Sequence, residues 1–315
     1  MADGLSDEAR LAAAIAAGLF GGPAARTTHV AGKGTVNKVF FVESPGRKVV
    51  VRLSDRAEAA DEYVKEAWCI GRAAALGIPV PEVLRVGRRG RHAYMVESFV
   101  AGDEGRDVPS ARADIWRALG GYAKLIHSAA VPGLGLKLSE ILGGDARESW
   151  SRHLEYNVES LNEDDPLLDL EVVTRAESRA VREVFADLRV REFDFGLNHG
   201  DLSLRNTIVG ADGRVTLLDW GSAEAAAVPH HDLIQILKES MTEGDPGAED
   251  FRAFLDGYGI SPAELERMMP ELEALLTLRA FDKLRWALDR RVEDLGDYVE
   301  HARAAARRCL AGVGR

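Results

Sequence analysis

One stretch of this chain, LNHGDLSLRNTIVGADGRVTLLDWG (197–221), concentrates side chains suited to oxygen chemistry. His199-Gly200-Asp201 opens it, Asn206 follows five residues after Asp201, and Asp219-Trp220-Gly221 closes it. An amide oxygen and a carboxylate that meet at one point suit Mg²⁺, which takes oxygen ligands and prefers few protein carboxylates beside phosphate oxygens. Asn206 and Asp219 are the candidate metal ligands. Asp201, at the same mouth, is the candidate base for an incoming hydroxyl. A metal clamp and an oriented nucleophile are the parts that phosphoryl transfer needs. The plain alternative is a hairpin with an Asp-Gly turn and structural polar residues. The number of fixed positions, and the order of features around them, favours chemistry.

These residues need elements that bring them together. Ala211-Asp212-Gly213 is a turn between two short β runs, TIV and VTLLD, so Asn206 and Asp219 lie near strand ends that can converge. Upstream, the Val/Phe runs at 39–42 and 49–53 are bounded by Gly32-Lys33-Gly34 and Ser44-Pro45-Gly46, a hairpin pattern. Residues 57–76 carry apolar side chains at helical spacing and stop at Gly77 and the Pro79/Pro81 pair. VLRVGRRGRHAYMVESFV gives a second hairpin, turning at Gly87–Gly90. The first hundred residues therefore read as an antiparallel sheet with one helix on it. After Gly102 the texture is helical: a stripe over 113–129, most of 149–190, and helices again beyond 220. The segment 98–110 is the natural boundary, giving lobes of 1–100 and 101–315. The opening residues read as an amphipathic helix, since Asp3, Asp7 and Glu8 stand where a signal peptide carries basic residues.

HxDxxxxN followed by Asp-aromatic-Gly resembles the catalytic loop and metal motif of the aminoglycoside phosphotransferase/choline kinase family, with Gly200 where protein kinases carry Arg. The resemblance is closest to the antibiotic phosphotransferases and covers residues 25–290. It implies an α+β, protein-kinase-like bilobal fold: a small antiparallel-sheet lobe that binds nucleotide and a mainly helical lobe that binds acceptor. It implies ATP or GTP and Mg²⁺ as cofactors. Gly32, Gly34 and Asn37 resemble the nucleotide-covering loop. Arg52 stands where kinases carry a phosphate-gripping Lys, and Glu66 where its partner carboxylate belongs. The backbone C=O of Glu97 and N–H of Phe99 would read the base edge. His199 and Asp232 would brace the catalytic loop. His127, His230 and His231 read as packing or surface residues. No Ala-Pro-Glu motif follows Asp219, and Asp232 comes too soon for a peptide-docking activation segment. These features argue against a protein kinase. The presence of Asp201, Asn206 and Asp219 together argues against a pseudokinase scaffold.

Composition bounds the partners. Of 40 Lys and Arg and 51 Asp and Glu, residues 1–105 hold 14 and 13, so the net charge of -11 comes wholly from the later residues. Nucleic-acid binding, which needs a basic face, is not expected. An acidic receiving lobe would attract a cationic acceptor. Candidate contacts lie on 278–291, where Asp282, Trp286 and Asp289 share one helical face. Packing of Trp286 and pairing of the two Asp with nearby basic residues is the alternative. The acceptor itself is read only as a small hydroxylated molecule, an antibiotic or a metabolite such as an amino-alcohol or sugar. No apolar run reaches a membrane-spanning length, and the two cysteines, Cys69 and Cys309, lack metal or disulfide spacing. A cytoplasmic protein is expected.

Overall fold

A computed structural model describes residues 6–30 and 37–313. Helix α1 (Asp7–Phe20) starts at Ser6, whose hydroxyl accepts the Ala9 N–H, and ends at Gly21 in the left-handed region. Strands β1 (Arg26–His29), β2 (Lys38–Ser44) and β3 (Arg47–Ser54) follow. Then come helix α2 (Ala59–Ala75) and strands β4 (Val83–Arg89) and β5 (His92–Ser98). The five strands form one antiparallel sheet in the order β1-β2-β3-β5-β4. The β4–β5 turn falls at Gly90–Arg91, with Arg89 opposite His92, so Gly87 lies within β4 and not in the turn.

Strand periodicity decides what this sheet presents. Val49, Val51 and Leu53 of β3 join Phe40, Val42 and Val96 in a cluster capped by Ala9, Ala12, Ile15 and Ala16 of α1. Arg52, one residue out of phase, must point to the opposite face. That face carries Ala93 and Met95 and packs on Tyr63, Cys69, Ile70 and Ala73 of α2. The sheet is thus covered by two helices where the sequence suggested one. The amphipathic opening segment is the second cover. Ile15 is its one large buried side chain, so Ile15→Ala would loosen it most, by about 2 kcal/mol or more.

The link after β5 adds a short strand β6 (Asp103–Glu104). The helical part begins with α3 (Arg112–His127) and α4 (Leu138–Leu142), then α5 (Ala146–Ser160), α6 (Pro166–Asp169) and α7 (Arg175–Val190). The functional stretch supplies β7 (Asp194–Asn198), β8 (Thr207–Val209), β9 (Val215–Leu217) and β10 (Glu224–Val228). It folds as a β6-β8-β9 sheet and a β7-β10 pair. Helices α8 (His230–Glu243), α9 (Ala248–Tyr258), α10 (Pro262–Asp289) and α11 (Gly296–Val313) complete the chain. One continuous core runs from α2 through α3 and α7 to α10 and α11 and includes Trp116, Trp220, Phe185 and Phe281, so the α2 face of the five-stranded sheet and the later helices share one interior. Among the described residues, no helix is long and apolar enough to cross a membrane.

Candidate active site

The loop after β7 is held from beneath by one buried carboxylate. Asp232, in the first turn of α8, accepts the Gly200 N–H at 2.7 Å, the His199 N–H at 3.2 Å and His127 Nε2–H at 3.0 Å. Burial alone would raise the Asp232 pKa. The His127 hydrogen bond and the fields of His127, His231 and His199 outweigh it and hold the carboxyl below the usual range. Tyr258 closes the chain, 2.9 Å from His127 Nδ1. Burial pushes its phenol up to about 12. Gly200 has φ +78°, and a Cβ there would lie 2.4 Å from the Ser222 carbonyl oxygen. Glycine is required for both reasons.

His199, fully buried, joins the loop to the second strand. Its Nε2 donates to the Leu218 carbonyl at 3.0 Å, and its Nδ1 accepts the Asp201 N–H at 3.3 Å. Its ring meets Trp220 edge-on, with centroids 4.8 Å apart. The β8–β9 ladder pairs Thr207 with Leu217, and the Leu218 N–H continues it to the Asn206 carbonyl at 2.8 Å. Asn206 and Asp219 therefore leave neighbouring strands at the same end, the convergence that the Asp-Gly turn suggested.

At that end Asp201 keeps 21% of its side chain exposed. One carboxylate oxygen accepts Arg205 Nη2–H at 2.6 Å and the other accepts Asn206 Nδ2–H at 2.9 Å. Arg205 also lies 3.4 Å from Glu239 of α8. Because the Asn206 amide spends its nitrogen on Asp201, its Oδ1 faces away from that carboxylate. Asp219 sits at φ +55°, and its carboxylate makes no ion pair among the described residues. One amide oxygen and one carboxylate are an incomplete shell for a hard cation. They fit a Mg²⁺ whose remaining ligands are phosphate oxygens and water.

Across from this mouth, Arg52 Nη1 binds Glu66 Oε1 at 2.5 Å and lies 3.8 Å from Glu97. Burial lowers the arginine pKa, but the fields of Glu66 and Glu97 more than offset it, and the net shift is upward. Glu97 is pushed up to about 7 by burial, against the opposing field of Arg52. The guanidinium also lies 5.5 Å from the Tyr63 ring centre. The Arg52–Glu66 pair is thus a buried contact and not a surface ion pair. The Glu97 side chain is a third member that the sequence reading, which used only its backbone, missed. Strand alternation was the available signal, since Glu97 lies opposite Val50, on the Arg52 face.

The other candidates are spread more widely. Asn37 precedes β2 and is half-buried, while Gly32 and Gly34 lie outside the described residues. Phe99 follows β5, with its ring on Phe41 and the Lys48 ammonium 3.8 Å above it. On α10, Asp282 bonds His153 at 3.0 Å and Asn157 at 3.1 Å, both from α5. Trp286 is 48% exposed under Arg290, so it is not a core residue, and Asp289 is exposed at the helix end. His230 pairs with Glu271 and His231 with Glu224, so the adjacent rings go to different partners.

The sequence pattern of the phosphotransferase enzyme family matches residues 27–275, and the chain belongs to that family. No curated protein matches the sequence. Among solved structures, a thermostable mutant of the aminoglycoside phosphotransferase APH(4)-Ia aligns with TM-score 0.66 at 18% identity, covering 96% of this chain and 100% of that one. A ternary complex of such a mutant with ADP and hygromycin B aligns at 0.65 and 17%, over 94% and 97% of the two chains. An APH(2") enzyme in complex with GDP and kanamycin aligns at 0.60 and 17%, over 92% and 94%. The α+β, kinase-like fold expected from the sequence is the fold found, and by its family the chain is a phosphotransferase.

Proposed function

We propose that this phosphotransferase moves the γ-phosphate of ATP or GTP to a hydroxyl of a small antibiotic or related metabolite, with Mg²⁺, in the cytoplasm. One observation carries the reading. Asp201, fixed by Arg205 and Asn206 yet still reachable, stands at the strand end that Asn206 shares with Asp219, and among the described residues the Asp219 carboxylate has no ion-pair partner. Residues 1–100 are the nucleotide lobe and 101–315 the catalytic and acceptor lobe. Gly32, Gly34 and Asn37 cover the phosphates, Arg52 grips them, and Glu66 and Glu97 hold Arg52. The Glu97 carbonyl and Phe99 N–H read the base. Asn206 and Asp219 would hold Mg²⁺, which when bound offsets phosphate charge.

Asp201 orients the acceptor hydroxyl and takes its proton as the oxygen–phosphorus bond forms and the bond to the nucleoside diphosphate breaks. The transition state is loose, so positioning contributes more than full deprotonation. His199, His127 and Asp232 support this geometry without touching substrate. On α10, Asp282, Trp286 and Asp289 are the acceptor contacts, and Arg279 and Lys283 stand one turn apart on the same helix. The acidic total of the lobe also suits a cationic metabolic acceptor such as an amino-alcohol, and a neutral sugar is the other metabolic alternative. The test is a panel of hydroxylated antibiotics and metabolites, read by nucleoside-diphosphate release and by phosphorus on the product. Release that no acceptor stimulates would contradict the proposal.

A further inference from the structure

Lys65 is an outlier of α2. It is 3% exposed, inside the protein, and among the described residues it has no carboxylate within ion-pair distance. Buried ammonium groups are rare unless their donors are matched. Here two are matched by backbone oxygens 156 and 158 residues away: Nζ lies 2.6 Å from the Gly221 carbonyl and 2.8 Å from that of Ala223. The first belongs to the short helical turn Trp220–Ser222 that begins directly after Asp219, and the second to the residue that directly follows that turn. The next residue of α2, Glu66, holds Arg52 at 2.5 Å. Glu66 is itself close to the turn, since a Cβ placed on Gly221 would lie 4.0 Å from its Oε2 and 3.3 Å from Asp219 Oδ1.

Consecutive side chains of one rigid helix therefore grasp two separate parts of the site. Glu66 fixes the arginine that faces the phosphates, and Lys65 fixes the turn that carries a metal ligand. Asp219 has a left-handed backbone, which Asp enters more readily than most residues with a side chain but still at a cost that a local constraint offsets. Two charge-assisted hydrogen bonds just downstream are such a constraint. The hydrophobic contacts of α2 could hold the lobes together without a cation. They could not aim the Gly221 and Ala223 carbonyls.

We propose that Lys65 is a positioning residue, which sets the distance between Arg52 and Asp219 by fastening the Asp219-Trp220-Gly221 turn to α2. The inference rests on the assignment of Asp219 to the metal and Arg52 to the phosphates. It predicts a specific split for Lys65→Met, which keeps the length and apolar stem of the side chain and removes its donors. The metal concentration giving half-maximal activity should rise about tenfold or more, and kcat should fall by a similar factor. Acceptor KM and the affinity for nucleotide without metal should change less than about twofold. Lys65→Arg, which keeps a cation and several donors, should recover part of the metal dependence. Where Lys65→Met does not fold, Lys65→Arg and Lys65→Gln supply the same readout, with the shift in metal half-saturation larger for Gln than for Arg.

Calorimetry with Mg²⁺ and a non-hydrolysable ATP analogue reads the binding part separately from turnover. If wild-type protein binds the analogue with no metal dependence, the assignment of Asp219 fails and the inference falls with it. If wild type shows that dependence and a folded Lys65→Met or Lys65→Gln keeps it unchanged, with only the melting temperature lowered, then Lys65 is an interlobe strut and the positioning role is wrong.

Discussion

Arg52→Ala removes the one cation that joins Glu66, Glu97 and the field of Asp219. Glu66 and Glu97 are both buried, so the loss strands two carboxylates whose ion-pair partner, among the described residues, is Arg52. Breaking a buried pair from one side costs about 3–5 kcal/mol of stability. Part of that is relieved when Glu97, already pushed up to about 7, takes up a proton. For the nucleotide, a lost charge-assisted hydrogen bond of about 1.5–3 kcal/mol corresponds to roughly a 10- to 150-fold rise in KM at 1.36 kcal/mol per decade. Acceptor KM should stay within about threefold. Arg52→Lys keeps the charge but loses the planar fork, so its defect should be intermediate.

The assay is initial rate against nucleotide at saturating acceptor, with thermal unfolding measured in parallel. Lys38 and Lys48 are the controls. Lys38 pairs with Glu8 at 2.6 Å, and Lys48 pairs with Glu43 at 3.1 Å while lying over Phe99. A larger nucleotide defect in Lys38→Ala or Lys48→Ala than in Arg52→Ala would refute the reasoning. So would a folded Arg52→Ala with unchanged nucleotide KM.

Three further outcomes follow from the same geometry. Asp232→Ala leaves the His199 and Gly200 N–H groups and His127 without their acceptor, and should lower stability by about 3–5 kcal/mol in denaturant titrations, with kcat falling more than either KM. Asp219→Asn takes a charged oxygen from the proposed metal site and should weaken Mg²⁺-dependent binding of a nucleotide analogue by about tenfold or more, read by calorimetry. Glu97 has a folded-state pKa raised from 4.5 to about 7, so its contribution is full below about 4.5 and is lost as pH rises through about 7. Glu97→Gln should therefore flatten the stability profile between pH 5 and 7.5 by at most about 3 kcal/mol, and an unchanged slope would show that Glu97 does not titrate there.

How far the sequence could be read depended on how local each relationship was. Asp201, Asn206 and Asp219 sit within one short stretch whose hairpin turn brings the last two to neighbouring strand ends, so their convergence was legible. Arg52 and Glu66 were placed by a strand and the helix after it. The Glu97 carboxylate needed the period-2 face of β5 to be set against β3, a register that a single strand does not declare. Arg205, four residues after Asp201, was within reach of an i,i+4 reading and was overlooked. Lys65 was not legible at all, because its partners are backbone carbonyls more than 150 residues away and carbonyls carry no sequence code. The opening helix was recognisable as amphipathic, but the sheet face that it covers was not. His127 reads as a packing residue in its helix, whereas its ring links Tyr258 to Asp232.

Asp201 is the group proposed to receive the acceptor hydroxyl, and the other assignments depend on it. Its most direct test is transfer of labelled γ-phosphate by wild type and by Asp201→Ala, on the acceptor found in the panel, with nucleotide affinity measured on the same preparations. Asp201→Ala should lower kcat by at least about 10²-fold while nucleotide affinity stays within about twofold of wild type. A folded Asp201→Ala that transfers phosphate at near wild-type rate would contradict that assignment.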